Sequence, residues 1–286
     1  MFFQEYEAVD SYRQAVVPFL EEREAVNNLP LGIVSSLEER IEEGSKPFLG
    51  AVKDDQGQVI LVALRTPPHN LVLAGHGPRT DQALEVAVAH LHEEQIIVPG
   101  VIGLKGIAET FTNRWSEITG DRVVVSMEQR IYRLDAVSPI SRASGRLRPA
   151  TIGDAELVAN WMKSFSAEAV AKELAPDKAR EQAEGIIGQR RLYLWEDGKT
   201  VSMAASSRQT RNGIVINWVH TPAEFRQRGY ATSCVAALSQ LLLDKGSRFC
   251  SLYTDLANPT SNSIYSKIGY RPIGDSVVYS FRRDDD

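Results

Sequence analysis

Cysteine is almost missing from this chain. Cys234 and Cys250 are the only two in 286 residues, which excludes a disulfide scaffold. One falls in a predicted helix and the other in the predicted strand that follows, both among apolar neighbours, so they read as reduced, buried core residues. Long apolar runs are missing too: no segment approaches the roughly 20 residues that span a bilayer. The acidic start (Glu5, Glu7, Asp10) lacks the basic character of a secretory signal, and a cytoplasmic location is expected. Positive charge is outnumbered, with 32 Lys and Arg against 37 Asp and Glu and a net charge of −5. That balance argues against nucleic acid or a membrane surface as partner, while leaving room for a single anionic ligand held by local donors. Histidine is scarce, and His90 and His92, two apart on a predicted helix, face different directions and cannot chelate one ion, so no metal is expected. The glycines between Gly100 and Gly106 lack the Gly-Lys-Ser/Thr ending of a nucleotide P-loop.

What is present is ample core material. Apolar residues make up 43% of the sequence, and the length suggests two domains. Residues 1–47 read mostly as amphipathic helix, with Tyr12, Val16, Phe19 and Leu20 on one face. A hairpin follows, Pro47–Lys53 and Val59–Leu64 about Asp54-Asp55-Gln56-Gly57. Then come a strand from Leu71, a helix from Asp81, a strand from Val101, a helix from Ile107 and a terminal strand or strand pair, Arg122–Leu134. The Ser-rich stretch DAVSPISRASG breaks the pattern. The expected division is therefore a first α/β domain over 1–135, a linker over 136–145 and a second domain over 146–286. The second half opens with a strand from Arg146, a capping box at Thr151 and Asp154, and two helical regions, the later one interrupted at Pro176. A hairpin turns at Asp197-Gly198-Lys199, and strand, helix, strand, helix and strand complete it. The two halves share this order of elements, and Asn113–Gly120 (NRWSEITG) echoes Ser263–Tyr270 (SIYSKIGY).

The stretch that carries chemistry is Val219–Thr232, VHTPAEFRQRGYAT. An apolar strand precedes it and a helix with apolar residues at helical spacing follows. Gly229 permits close backbone approach, Arg226 and Arg228 bring positive charge, and the first N–H groups of a helix lack internal partners at the positive end of its dipole. Such a turn suits a phosphate or pyrophosphate. The spacing Arg226-x-x-Gly229-x-Ala231 resembles the [QR]-x-x-G-x-[GA] motif of the GCN5-related N-acetyltransferases (GNAT). The stretch from Asn258 to Tyr270 is similar to that family's late helix and closing Gly-Tyr turn.

The resemblance implies a mixed, mostly antiparallel sheet flanked by helices in the second half, with acetyl-CoA (coenzyme A) as cosubstrate and an amine acceptor, a small molecule or a peptide. It implies that the amides of Gln227, Arg228, Gly229, Tyr230, Ala231 and Thr232 hold the pyrophosphate beside Arg226. It puts the pantetheine arm along Val219 and Thr221 with Asn258 close by, the Val219 N–H on the thioester carbonyl, and Tyr265 as general acid to the thiolate. No carboxylate stands on the strand before the turn, so His220, Glu168 and Glu173 remain open as the base. The turn AGHGPRT in the first half lacks the motif's spacing. That half is either a diverged GNAT-like copy without the cofactor turn or an unrelated α/β domain. A non-catalytic acyl-CoA sensor is the alternative function.

Overall fold

Two-residue alternation builds the first of two units. The computed structural model describes residues 1–42, 46–169 and 173–282; the acidic tail Asp284–Asp286 and Gly44, expected as a frayed end and a helix stop, lie outside them. Chain order is β1 (Phe2–Glu5), α1 (Val9–Glu21), α2 (Asn28–Ser35), α3 (Leu37–Glu42), β2 (Phe48–Lys53), β3 (Val59–Arg65), β4 (Leu71–Gly75), α4 (Thr80–Glu93), β5 (Gly100–Leu104), α5 (Lys105–Thr119) and β6 (Arg122–Leu134). The second half has β7 (Arg146–Pro149), α6 (Ala155–Ala169), α7 (Pro176–Gly188), β8 (Leu192–Asp197), β9 (Lys199–Ser207), β10 (Gly213–His220), α8 (Tyr230–Asp244), β11 (Phe249–Asp255), α9 (Pro259–Ile268) and β12 (Arg271–Arg282).

The first unit comprises Met1–Ile131 and Ile273–Asp286. Along β3, Leu61 and Ala63 pack with Leu84, Val88, Leu91 and Phe111 of α4 and α5. Val62 and Leu64 point the other way, onto Tyr12, Val16, Phe19 and Leu20 of α1. Burial on both faces is why the strand reads as one apolar run. The expected hairpin forms, its turn fixed by the Asp54 carboxylate accepting the N–H groups of Gln56 (3.0 Å) and Gln58 (2.9 Å). β1, which the sequence reading places in helix, pairs antiparallel with β2 instead, Phe2 opposite Lys53. β4 and β5 are parallel, and β12 joins the unit between β5 and β6, Val277 opposite Gly103. The last strand of the chain thus groups with the first half, although its sequence position is in the expected second domain.

The second unit is Tyr132–Pro272. Its sheet runs β7-β8-β9-β10-β11, antiparallel except for β10 with β11. One face packs on α8 and α9 through Ile216, Leu252, Val235, Leu238 and Ile268. The other packs on α6 and α7 through Leu194, Met203, Ala205, Met162 and Ala183. The capping box forms, with the Thr151 N–H donating to Asp154 Oδ2 at 2.8 Å. α7 begins at Pro176, where proline's missing N–H costs nothing.

Residues 136–145 are built into this unit. The Ser138 N–H donates to the Ile268 carbonyl (2.8 Å), the Ala143 N–H to Ser233 Oγ (2.8 Å), and Ser144 Oγ to Asp197 (2.7 Å). Val137, Ile140 and Ala143 cover the α8 and α9 core. Among the described residues no helix is long and apolar enough to cross a membrane.

Candidate active site in the second unit

The site begins where β10 loses its partners. On one side its register with β11 is Gly213–Val215 against Phe249–Ser251, although β10 continues to His220. On the other side the pairing with β9 shifts between Asn217 (opposite Ala205) and His220 (opposite Met203), which leaves an extra residue in β10. That is a β-bulge, and Trp218 absorbs it with a left-handed φ of 51°. A bulky side chain in that region is strained. The consequence is local: the backbone of Trp218 and Val219 is turned out of the ladder with β9.

The turn after it has a specific shape. Gln227 (φ 63°) and Gly229 (φ 77°) are both left-handed, with Arg228 between them. Reversals of hand between neighbouring residues converge their N–H groups into an anion-binding concavity. The first intrahelical bond of α8 runs from the Ser233 N–H to the Gly229 carbonyl at 3.0 Å. The amides of Tyr230, Ala231 and Thr232 therefore precede the ladder and face the end of the helix. Arg226 does not point into open space: Nε donates to the Thr221 carbonyl (2.9 Å) and the guanidinium pairs with Glu168 on α6 (2.6 Å). Thr221 Oγ1 meets Ser202 Oγ at 2.8 Å. Tyr230 spends its hydroxyl on Asp197 (2.7 Å), which leaves its amide as the group toward the turn. Arg228 is exposed.

Tyr265 lies on α9 with its ring buried, 6.2 Å from the Tyr132 ring and 5.9 Å from that of Tyr270. It belongs to the cluster against which Val219 packs. Burial raises its pKa above the ordinary phenol value, so the hydroxyl stays protonated. Asn258 stands immediately before α9, and its carbonyl accepts from the Asn262 side chain at 2.8 Å. Both thiols are buried, and desolvation pushes each up to about 12, which removes them as thiolate nucleophiles near neutrality. Among the described residues no group of His, Cys, Asp and Glu is arranged to hold a metal ion.

Of the three base candidates, His220 is the buried one, its ring 6.1 Å from that of Trp161 on α6. Desolvation lowers its pKa, partly offset by Glu168, so it is neutral and able to accept a proton at pH 7. Glu168 is engaged with Arg226, and Glu173 is exposed. The bulge at Trp218, the Arg226–Glu168 pair and the tie of Asp197 to Tyr230 have no counterpart in the sequence reading. No residue-type pattern marks a left-handed tryptophan or a long-range ion pair.

Residues 194–279 match the family model described as FR47-like protein. A search of curated proteins by sequence finds no match. Solved structures similar over the whole chain include a Drosophila protein (TM-score 0.67, 11% identity, 98% of each chain) and a tandem GNAT protein from the clavulanic acid biosynthesis pathway (0.60, 14%, 99% of each). A GNAT-family acetyltransferase from Colwellia psychrerythraea is also similar (0.59, 10%, 99% of this chain and 100% of that one). The chain is thus a two-domain protein of tandem GNAT fold, with its FR47-like match in the second half.

Proposed function

We propose that the second unit transfers an acetyl group from acetyl-CoA to an amine by direct attack in a ternary complex. The observation that carries this reading is the coincidence of the bulge at Trp218 with the divergence of β10 from β11, one turn upstream of the left-handed pair Gln227 and Gly229. A strand-like ligand fits such a splay, and a diphosphate fits the concavity beyond it. The amides of Gln227 through Thr232 hold the diphosphate, and Val219, Thr221 and Asn258 line the arm.

The Val219 N–H, fixed by the bulge, donates to the carbonyl oxygen as negative charge develops there, at no cost in reorganisation. As the amine nitrogen bonds to the carbonyl carbon and the C–S bond breaks, neutral His220 receives the amine proton, directly or through water. Tyr265 gives its phenolic proton to the departing thiolate. The inert thiols of Cys234 and Cys250 favour direct transfer over an acyl-cysteine intermediate. The fold of acyltransferases and the FR47-like match support the reaction class. The test is coenzyme A release measured with a panel of small amines and peptides. Faster release with one acceptor, slowed in Tyr265→Phe, is expected; tight acetyl-CoA binding without turnover on any acceptor would make the protein a sensor instead.

A further inference from the structure

Resting on the acyl-transfer reading, we infer that the acceptor is an amine carrying a carboxylate, and that Arg208 at the end of β9 receives that carboxylate beside Ser207 and Ser251. Register places the parts. Val215 is opposite Ser207 on β9 and opposite Ser251 on β11, so the three side chains stand on one face of the sheet. Asn217, two residues on and opposite Ala205, shares that face, and Ala205 packs with Met162 and Ala183 of α6 and α7. Tyr253, two residues beyond Ser251, shares it as well.

Three polar atoms of this patch, Ser207 Oγ, Asn217 Oδ1 and Ser251 Oγ, are buried and have no hydrogen-bond partner. Ser251 as a whole is 0% exposed. Native interiors pair such groups almost without exception, so three unpaired oxygens on one face of the sheet call for a partner, which a bound ligand can supply. Arg208 leaves β9 with a left-handed φ of 39°, and its guanidinium lies 5.5 Å from the centre of the Tyr253 ring. β10 lies between β9 and β11 in the sheet, so the Arg208 guanidinium reaches from the end of one strand to a ring two strands away. No carboxylate among the described residues pairs with it. Desolvation lowers the pKa of this guanidinium, with Tyr253 acting in the opposite sense. A cation drawn out of water without an anion is unfavourable, and a carboxylate relieves it in the geometry its planar fork prefers.

The pieces then have complementary tasks. Arg208 donates to the carboxylate, and the hydroxyls of Ser207 and Ser251, which lack acceptors, turn toward it. Asn217 Oδ1 accepts an N–H of the amine, two residues before Val219, where the carbonyl is proposed to sit. Val215 to Asn217 is about 7 Å along a strand, which favours an amine separated from the carboxylate by several bonds over an α-amino acid.

The experiment compares glycine, β-alanine, γ-aminobutyrate and lysine with their amides as acceptors, in the wild type, Arg208→Gln and Arg208→Lys, with acetyl-CoA affinity measured alongside. The expected result is a tenfold or greater preference in kcat/KM for the acids in the wild type. It should collapse toward unity in Arg208→Gln, chiefly through KM, and be partly kept in Arg208→Lys, with acetyl-CoA affinity within threefold throughout. A wild type indifferent to the carboxylate, or an Arg208→Gln variant that keeps the preference, overturns the inference. If acetyl-CoA binds but no amine is acetylated, the acyl-transfer reading fails by itself. Equilibrium binding of the same acids and amides then decides the subsite: binding of acids alone, lost in Arg208→Gln, supports it, and equal or no binding refutes it.

Discussion

Replacing Gly229 with alanine separates the turn's structural cost from its proposed task. A Cβ built at 229 meets nothing nearer than the Ala143 Cβ at 3.8 Å, an ordinary contact, so no clash is forced. What remains is the φ of 77°, and holding an L-residue in the left-handed region costs about 1–2 kcal/mol. The melting temperature should therefore fall by roughly 2–8 °C, and the fold should survive. Ligand affinity should suffer more. If the residue relaxes out of its left-handed conformation, or its methyl crowds the bound anion, at least one charge-assisted hydrogen bond to the diphosphate is lost. Such a bond contributes about 1.5–3 kcal/mol, which corresponds to roughly a tenfold to hundredfold weaker Kd. Calorimetric titration of acetyl-CoA, run beside melting curves, measures both. Gly213→Ala is the control, because its Cβ would be driven into the Phe249 ring at the opposite end of β10. Overpacking of that kind costs about 1–3 kcal/mol, and acetyl-CoA affinity should change less than stability. A Gly229→Ala protein with the expected loss of melting temperature and an unchanged Kd would refute the assignment of the diphosphate to this turn.

Tyr265→Phe keeps the packing against Tyr132 and Tyr270 and removes only the acid, so turnover should fall by about 10²-fold with acetyl-CoA affinity unchanged; an unaltered kcat would remove Tyr265 from the chemistry. The depressed pKa of buried His220 means the unfolded chain binds a proton that the folded one resists, so stability should decline as pH falls below about 6.5. Stability curves of His220→Gln should be flatter over that window, and an identical slope would show that His220 contributes nothing there. Asp154, held at about 2 by Arg148 and by the capping interactions of Thr151, stabilises the unit above the ordinary value of 3.8 and loses that contribution as pH falls from 3.8 toward 2. Asp154→Asn should cost at most about 2 kcal/mol at pH 7, and little difference from the wild type should remain near pH 2.

The sequence made legible what short-range rules govern. β2 and β3 announced themselves as apolar runs around a turn whose Asp54 bonds its own neighbours. Pro176 marked a break in the later helical region, and α7 starts there; the glycine of the 226–231 spacing sits in a turn and is left-handed. What stayed hidden depends on distant residues. β1 is short, sits at the sheet edge and follows no strict alternation, so only its pairing with β2 defines it. The strand character of β12 was evident, but not that it would pair with β5, from the other half of the chain. Residues 136–145 have linker composition, yet their amides and hydroxyls are taken up by Ile268, Ser233 and Asp197. At the candidate site, the glycine turn was visible in the sequence, whereas the engagement of Arg226 with Glu168 and the unpartnered oxygens of Ser207, Asn217 and Ser251 emerge only from the folded register.

A strand-to-helix junction also occurs in the first unit, between β4 and α4, and its chemistry predicts that, on the proposed function, only the second unit's turn takes up a coenzyme A. Pro78 removes an N–H from the turn, since proline has none to donate. Both the N–H and the hydroxyl of Thr80 are directed at the Gly77 carbonyl, at 3.3 and 2.8 Å. Arg79 is held by Asp54 at 2.6 Å, and that carboxylate is almost fully buried, so the positive charge is already matched. His76 is stacked on Phe19 and bonded to Glu22, which sets a carboxylate beside the junction. An incoming diphosphate would find a turn one N–H short and a carboxylate beside it, whereas residues 227–232 offer a left-handed pair and the amides of Tyr230, Ala231 and Thr232 ahead of the helical ladder. Titration of the full chain with coenzyme A should therefore give a stoichiometry of one, and Gly229→Ala should weaken that single event. A second equivalent bound with comparable affinity would mean that the junction before α4 holds an anion despite Pro78 and Asp54, and that counting free amides is the wrong way to locate the site.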